Sequence, residues 1–387
     1  MDLGDKRRNK RAIKMMEGFS AMPTASIPQA CGDWADTMGA YRFFENDTFE
    51  WADILQPHIQ SSMGRMATHE VVLCIQDTTE LDFNGQQAPG LGPLSYEAQR
   101  GMYLHPTYAV STAREPLGVL DAWMWARQAK NGDGTRPGVS ESLRWTEGYE
   151  RLAEIAPLLP QTRLVYLADR EADIMELMVR ARDLQTPVDW LVRSKHNRAL
   201  GEGAKLWPEV MATQALGTIR FTMPSRGGKP AREVEQHVWA KTVQLRDGKG
   251  GFVTASCIVA RETAPPEGHS AVEWRLLTNR AVATQEQAID MIDWYRARWE
   301  IEMFFHVLKN GCHVEALQLG TVDRIERAVV MYMIVAWRIA RLMRLGRSCP
   351  DLDAPLMFQP DEWQAAFILT PKRSTKQPHT INAVVRL

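Results

Sequence analysis

Cysteine is scarce in this 387-residue chain and scattered where it occurs, at Cys31, Cys74, Cys257, Cys312 and Cys349. No two stand in a C-x-x-C pair, which speaks against a zinc knuckle or a disulfide framework. Free thiols fit a reducing cytoplasm, the expected location. Long apolar runs are missing too. The run through Val329 to Trp337 falls far short of the about 20 residues that a membrane span needs, and charges occupy the amino terminus where a signal peptide would be apolar. No membrane partner is expected. The chain also lacks G-x-x-x-x-G-K-[ST], G-x-G-x-x-G after a strand, H-E-x-x-H and G-x-S-x-G, and its nine histidines are dispersed. Phosphate-loop, Rossmann, zincin and hydrolase-elbow chemistries therefore lose ground.

Net charge is nearly absent as well, at -1. That neither advertises nor excludes a nucleic-acid binder, because segregation of charge matters more than its sum. Lys6, Arg7, Arg8, Lys10, Arg11 and Lys14 crowd the amino terminus, and Lys372, Arg373 and Lys376 lie near the other end. Either run reads equally as a solvated tail or as a contact surface. Composition is ordinary for a globular protein, 45% hydrophobic and 24% charged, and the length suggests two or three compact units.

Residues 1–65 read as short helices, with an aromatic cluster at Gly39 to Phe44. Val71 to Ile75 is a continuous apolar run of strand length, followed by Gln76-Asp77. Residues 83–104 are rich in Gly, Pro and polar residues and read as a loop. Thr107 to Ala113 and Leu117 to Trp125 read as strands joined at Arg114-Glu115-Pro116. A helix is expected in Ser140 to Leu159. A second buried strand, Leu164 to Ala168, again ends at an aspartate, Asp169. Residues 171–185 read as a helix and Val188 to Val192 as a strand. Residues 200–283 have Gly/Pro turns at Gly227-Gly228, Gly248 to Gly251 and Pro265-Pro266 between short strand-like runs, a β-rich insertion. Long helices are expected over about Gln285 to Lys309, stopped by Gly311, and over Asp323 to Leu345. The tail from Arg347 is turn-rich.

Three carboxylates carry the chemical signal. Asp77 and Asp169 close two buried strands, and strand ends are where ligand crevices of open sheets lie. If the strands are neighbours, the two carboxylates repel and would share a cation or a proton. Hard oxygen ligands of this kind suit Mg²⁺. Each aspartate can equally cap the turn that follows it. On the long helix Tyr295, Arg298, Glu302 and Lys309 fall within roughly 60° of one another, a polar stripe of about 21 Å. It reads either as a solvent face with Arg298 and Glu302 paired or as a functional edge.

Gln76-Asp77-Thr78-Thr79, Asp169-Arg170-Glu171-Ala172-Asp173 and Tyr295-x2-Arg298-x3-Glu302-x6-Lys309, in that order with a β-rich insertion before the last, resemble the signature of one family. It is that of the bacterial cut-and-paste DDE transposases with the Y-R-E-K motif, the insertion-sequence-four family. Arg193-Ser194-Lys195-His196 and Trp274-x-Leu276-Leu277-Thr278 also match family positions, and the likeness runs from Leu3-Gly4-Asp5 through the tail.

The resemblance implies an α/β fold: an RNase H-like catalytic core with a β-rich insertion, flanked by an N-terminal helical region and C-terminal helices. The expected division is an N-terminal helical DNA-binding region over 1–65, the core over 66–199, the insertion over 200–283, the C-terminal helices of the core over 284–346, and a truncated tail over 347–387. It implies that Asp77, Asp169 and Glu302 bind two divalent ions, Mg²⁺ with Mn²⁺ able to substitute, for strand cleavage at transposon ends and transfer to target DNA through a hairpin intermediate. Tyr295, Arg298 and Lys309 would hold phosphates, Trp274 would stack on a flipped base, and Arg193 and Lys195 would contact DNA.

The implied partners are double-stranded DNA, both end repeats and target, and a second copy in a synaptic homodimer. Without DNA a monomer is expected, in a bacterial cytoplasm and on the nucleoid when bound. Members of the family carry a helical stretch ahead of Leu3-Gly4-Asp5 and a dimerising region beyond Arg386-Leu387, so shortened ends are expected here. Two alternatives are a truncated partner that inhibits a full-length transposase and an RNase H-like Mg²⁺-dependent nuclease.

Overall fold

The computed structural model describes residues 2–86, 88–201, 203–225, 230–358, 364 and 380–386. Gly227-Gly228 and the Lys372, Arg373 and Lys376 run lie outside the described residues. The chain forms two compact units. One comprises Met1–Thr68, Thr78–Val139 and Glu300–Leu387, the other His69–Asp77 and Ser140–Trp299. Among the described residues no helix is long and apolar enough to cross a membrane.

Helices α1 (Lys6–Ala21), α2 (Ile27–Cys31), α3 (Trp34–Glu45) and α4 (Trp51–Met66) open the chain. Asp5 and Asp33 start α1 and α3 by accepting the backbone N–H groups of Arg7 and Asp36 at 2.6 and 2.7 Å. Strands β1 (Val71–Gln76), β2 (Thr79–Asp82), β3 (Gly92–Pro93), β4 (Arg100–Ser111) and β5 (Pro116–Trp125) follow. After α5 (Leu143–Ile155) come β6 (Arg163–Ala168), α6 (Met175–Asp183) and β7 (Asp189–Arg193). The segment read as an insertion holds β8 (Ala199–Gly201), β9 (Ala204–Lys205), α7 (Leu206–Met211), β10 (Gly217–Met223), β11 (Arg232–Arg246), β12 (Phe252–Glu262) and β13 (Glu273–Thr278). Helices α8 (Gln285–Arg296), α9 (Trp299–His306), α10 (Val322–Ser348) and α11 (Ile381–Val385) complete the described chain.

The second unit is built on a mixed sheet. Strands β1, β6 and β7 run parallel, and their apolar residues are buried on both faces, as expected of all-apolar runs. Strand β13 joins β7 antiparallel, and β12, β11 and β10 extend the sheet in turn. Alternating burial along β10 and β11 gives these outer strands one solvent face. Trp145, Tyr149 and Leu152 of α5 are buried, and the Tyr149 hydroxyl donates to the Val188 carbonyl at 2.7 Å. The buried Asp189 carboxylate accepts from both Arg163 and Arg280.

In the first unit β4 lies between β2 and β5, all antiparallel. Helix α10 packs against α1, α3, α4 and β5 through the buried run from Ala328 to Ala336. Its Arg327 is buried and donates to the carbonyl oxygens of Phe44 and Phe49, which ties the end of α3 to the helix. Phe19 stacks on Tyr332 with centroids 4.9 Å apart, and Tyr108 on Phe304 at 4.7 Å.

Two sequence expectations need correction. The stretch 83–104 is not all loop, because β4 begins at Arg100. Gly101, which reads as a loop residue, is there for closeness: a Cβ would lie 2.0 Å from the Leu81 carbonyl oxygen of β2. The helix expected over Gln285 to Lys309 is broken. It stops at Arg296, resumes at Trp299, and ends in a π-type turn over Val307–Gly311. No glycine or proline marks the break. There the Arg298 N–H turns to the Tyr295 carbonyl, three residues back, at 3.0 Å, and its guanidinium is engaged with Asp77. The single helix expected to carry the polar stripe is therefore two helices, the first carrying Tyr295 and the second Glu302.

His58 of α4 makes the first unit sensitive to acid. Its Nε2 accepts the Val119 N–H at 3.1 Å, and Ser62 Oγ donates to the His58 carbonyl oxygen at 2.7 Å. Burial, helped by the nearby Arg65 charge, pushes the imidazole pKa down to about 3. Between about pH 6.5 and that value the unfolded chain binds a proton that the folded chain refuses, so stability is present above about pH 6.5 and is lost as pH falls. We expect the loss to approach about 1.4 kcal/mol per pH unit from this residue. His58→Gln, which can still accept from Val119, should flatten that slope in urea unfolding followed from pH 7 to pH 5.

Candidate active site at the ends of two parallel strands

Strands β1 and β6 are in register from Val71↔Arg163 to Gln76↔Ala168. The next residues on each are Asp77 and Asp169. Paired residues of parallel strands point to the same face, and neighbouring strands are about 5 Å apart. The backbone therefore delivers both aspartates to one end of the sheet, as expected if the strands were neighbours.

Asp77 is ion-paired with Arg298, and both side chains are largely buried. Asp169 Oδ1 accepts the Glu171 N–H at 2.7 Å, so it caps the 3-10 turn Arg170–Ala172. Capping occupies one oxygen of the carboxylate. Arg144, itself buried, pairs with Glu171 at 2.8 Å and steadies the turn.

Tyr295 joins the two aspartates electrostatically. It is 4% exposed, and burial pushes its phenol up to about 12, with Arg298, Arg193, Asp169 and Asp77 all acting on it. The phenol is thus a hydrogen-bond donor across the physiological range. Its ring meets Trp274 edge-on, centroids 5.7 Å apart, and the Arg193 guanidinium stands 5.7 Å from the Trp274 centroid. Of the sequence-derived residues, the structure gathers Asp77, Asp169, Tyr295, Arg298, Trp274 and Arg193.

Lys195 is exposed, two residues beyond Arg193 at the end of β7. In the first unit Glu302 is half-buried on α9. Lys309 of that unit sits in the π-type turn, paired with Glu315 at 3.4 Å, and Glu315 also accepts the Asp82 N–H. Among the described residues no three His, Cys, Asp or Glu side chains form a ready-made metal-ligating group.

Two supporting residues escaped sequence reasoning. Asp173, the last letter of Asp169-Arg170-Glu171-Ala172-Asp173, is buried. It accepts the N–H groups of Lys195 and His196 at 2.6 and 2.9 Å and pairs with Arg198 at 2.5 Å. One carboxylate thus fixes the backbone that presents Arg193 and Lys195. A second aspartate four residues after a strand-closing one was the available signal. Gly148 is the other. A Cβ there would lie 2.2 Å from Gln76 Oε1, so the absent side chain lets α5 close over the residue that precedes Asp77. It reads in the sequence only as one more member of a helical period.

Known proteins and protein families resemble this chain along most of its length. A transposase DDE domain matches residues 147–338, a transposase DNA-binding domain residues 1–49, and the Tn5 transposase dimerisation domain residues 334–387. Three such domains in this order define a DDE transposase, and the chain belongs to the Tn5-like family of them. The DDE match falls on a mixed α/β chain, the fold class expected. Among solved structures, the piggyBac transposase in a synaptic complex with hairpin DNA, determined by cryo-EM, aligns with a TM-score of 0.40 and 9% identity, over 89% of this chain. This chain spans 66% of the length of that one.

Asp173 offers a direct check on this arrangement. Removing one partner of a buried ion pair leaves an uncompensated charge and costs about 3–5 kcal/mol. Asp173→Ala should lose stability of that order in urea unfolding. Asp173→Asn, which can still accept backbone hydrogen bonds, should lose less.

Proposed function

We propose that this chain is a DNA transposase that cleaves DNA at transposon ends and joins the freed ends to target DNA through a hairpin intermediate. The observation that carries the reading is the pair of aspartates on adjacent parallel strand ends, ringed by Arg298, Tyr295, Arg193 and Trp274, in a chain of the DDE family. On this reading Asp77, Asp169 and Glu302 hold two Mg²⁺ ions, which Mn²⁺ can replace. Hard carboxylate oxygens suit these cations, and the repulsion between Asp77 and Asp169 is the kind a divalent ion relieves. When bound, such ions activate the attacking oxygen and stabilise the leaving one in an in-line displacement.

The chain's own side chains hold the DNA. On this reading Arg298 and Arg193 would bind phosphate by charge and hydrogen bonding, Lys195 and Lys309 would add charge, and the protonated Tyr295 phenol would donate to a phosphate oxygen. Trp274 is half-exposed beside Tyr295 and can stack on an extruded base. Residues 1–65, which include the matched DNA-binding segment, bind the end repeats on this reading. The matched dimerisation segment supports pairing of two copies in the synaptic complex, with a monomer expected before DNA is bound. The protein would act in the bacterial cytoplasm, on the nucleoid when bound.

Asp77→Asn, Asp169→Asn and Glu302→Gln should each abolish cleavage of end-containing DNA in Mg²⁺ while leaving duplex binding close to wild type. Gel assays of cleavage and binding test this, and wild-type cleavage by any of the three would remove that residue from the ligand set.

Trp274→Ala separates the steps. It should nick the first strand normally yet form hairpins more slowly, by about 5- to 150-fold if a stacking contribution of about 1–3 kcal/mol is felt fully at that step. A time course on end-labelled DNA resolves both products. Equal slowing of both steps would assign Trp274 a packing role.

A further inference from the structure

Arginines crowd the tip of the β4–β5 hairpin in the first unit. Arg65 of α4 donates from Nε to the Leu117 carbonyl oxygen at 2.6 Å. Arg341 and Arg344 of α10 donate to the carbonyl oxygens of Pro116 and Ala113 at 3.0 and 2.7 Å. Arg114, in the turn itself, has φ 66, a left-handed conformation uncommon for a side-chain-bearing residue. Arg347 lies exposed three residues beyond Arg344. Trp337 braces the group, with the Arg65 and Arg341 guanidinium carbons 4.3 and 5.9 Å from its ring centroid.

Among the described residues, Glu115 and Glu300 are carboxylates that act on these arginines. Glu115 pairs with Arg341 at 2.6 Å, and the half-buried Glu300 lies in the field of Arg344, Arg114 and Arg347. Burial raises the Glu300 pKa in spite of those three charges, and burial together with the Arg341 charge pushes Arg65 down to about 10. Carbonyl oxygens take up donors of Arg65, Arg341 and Arg344 without neutralising them, and the buried Arg344 Nε is left unsatisfied. Positive charge is therefore in excess here, and like charges held together favour an anionic ligand.

We propose that this cluster binds the phosphodiester backbone of duplex DNA without regard to sequence, as a surface additional to residues 1–49 and to the strand-end site. The inference rests on the reading of the chain as a DNA-acting protein. Guanidinium forks match phosphate oxygens. Arg341, Arg344 and Arg347 extend along about 9 Å of helix, over which a duplex, with one charge per about 1.7 Å of axis, presents several phosphates.

The test uses the full chain and a duplex of about 30 base pairs that contains no transposon end, titrated between 50 and 200 mM salt. Arg114→Asn tolerates the left-handed turn and is combined with Arg347→Gln. At about 0.9 per phosphate contact, the double variant should lower the salt slope by about 1.8, so that its affinity falls about 12-fold less than wild type over that range. Its thermal midpoint should match wild type. If it does not, Arg347→Gln alone, with half that change in slope, takes its place. A wild-type slope in the variant overturns the proposal. So does loss of self-association with an unchanged DNA slope, which would assign the surface to an acidic segment of a second copy. A wild-type chain that binds no duplex overturns this proposal and the transposase reading together, whereas binding with equal slopes overturns this one alone.

Discussion

Two parallel strands in register carry two aspartates to the same end of a sheet, and the repulsion between those carboxylates is what the side chains of the second unit answer. Arg298 neutralises Asp77 directly. Asp169 spends one oxygen on the cap of the following turn. Tyr295 stays protonated because burial forbids a further negative charge there. None of these contacts would be needed if β1 and β6 were shifted by one residue, since a slip of one moves every side chain to the opposite face. The apolar runs themselves do not fix that register, because a slip would exchange one apolar residue for another; the polar residues at their ends, Arg163 and Gln76, do distinguish it.

The same unit shows how one buried carboxylate organises a surface loop. Asp173 gathers two backbone N–H groups and one guanidinium, and the segment after β7 is fixed as a result. Trp207 adds a second tether through Ser194 Oγ at 3.0 Å, with Arg275 stacked 3.8 Å from its ring centroid. Strands β10 to β13 extend the sheet through β7, so the segment that contributes Trp274 is held by the same hydrogen-bond ladder that ends in Arg193.

Much of this was legible in the sequence. Asp77 and Asp169 stood out because each ends a run of five apolar residues, a pattern that leaves little doubt about strand and burial. The helices around Ser140 and Asp323 were legible from periodicity. The break at Ala297-Arg298 was not, because no residue there has a poor intrinsic helix propensity, and the deciding partner, Asp77, is distant in sequence. The start of β4 was hidden for a related reason. Gly101 is a turn signal by composition, but here it answers a close backbone approach that only the paired strand reveals. Asp173 sat in plain view within a recognised motif, yet its role depends on N–H groups more than twenty residues later.

The division of the chain into two units also bears on the order in which the protein can be made. The chain passes between them after Thr68, Asp77, Val139 and Trp299, so neither unit is continuous. A ribosome finishes the second unit only at Trp299, and the first still lacks α10 at that moment. Asp77 emerges 221 residues before the arginine that neutralises it. At about 5–20 residues per second, that is an interval of roughly 10–45 s. The parallel strands can pair during this time, but their aspartates then face each other without Arg298.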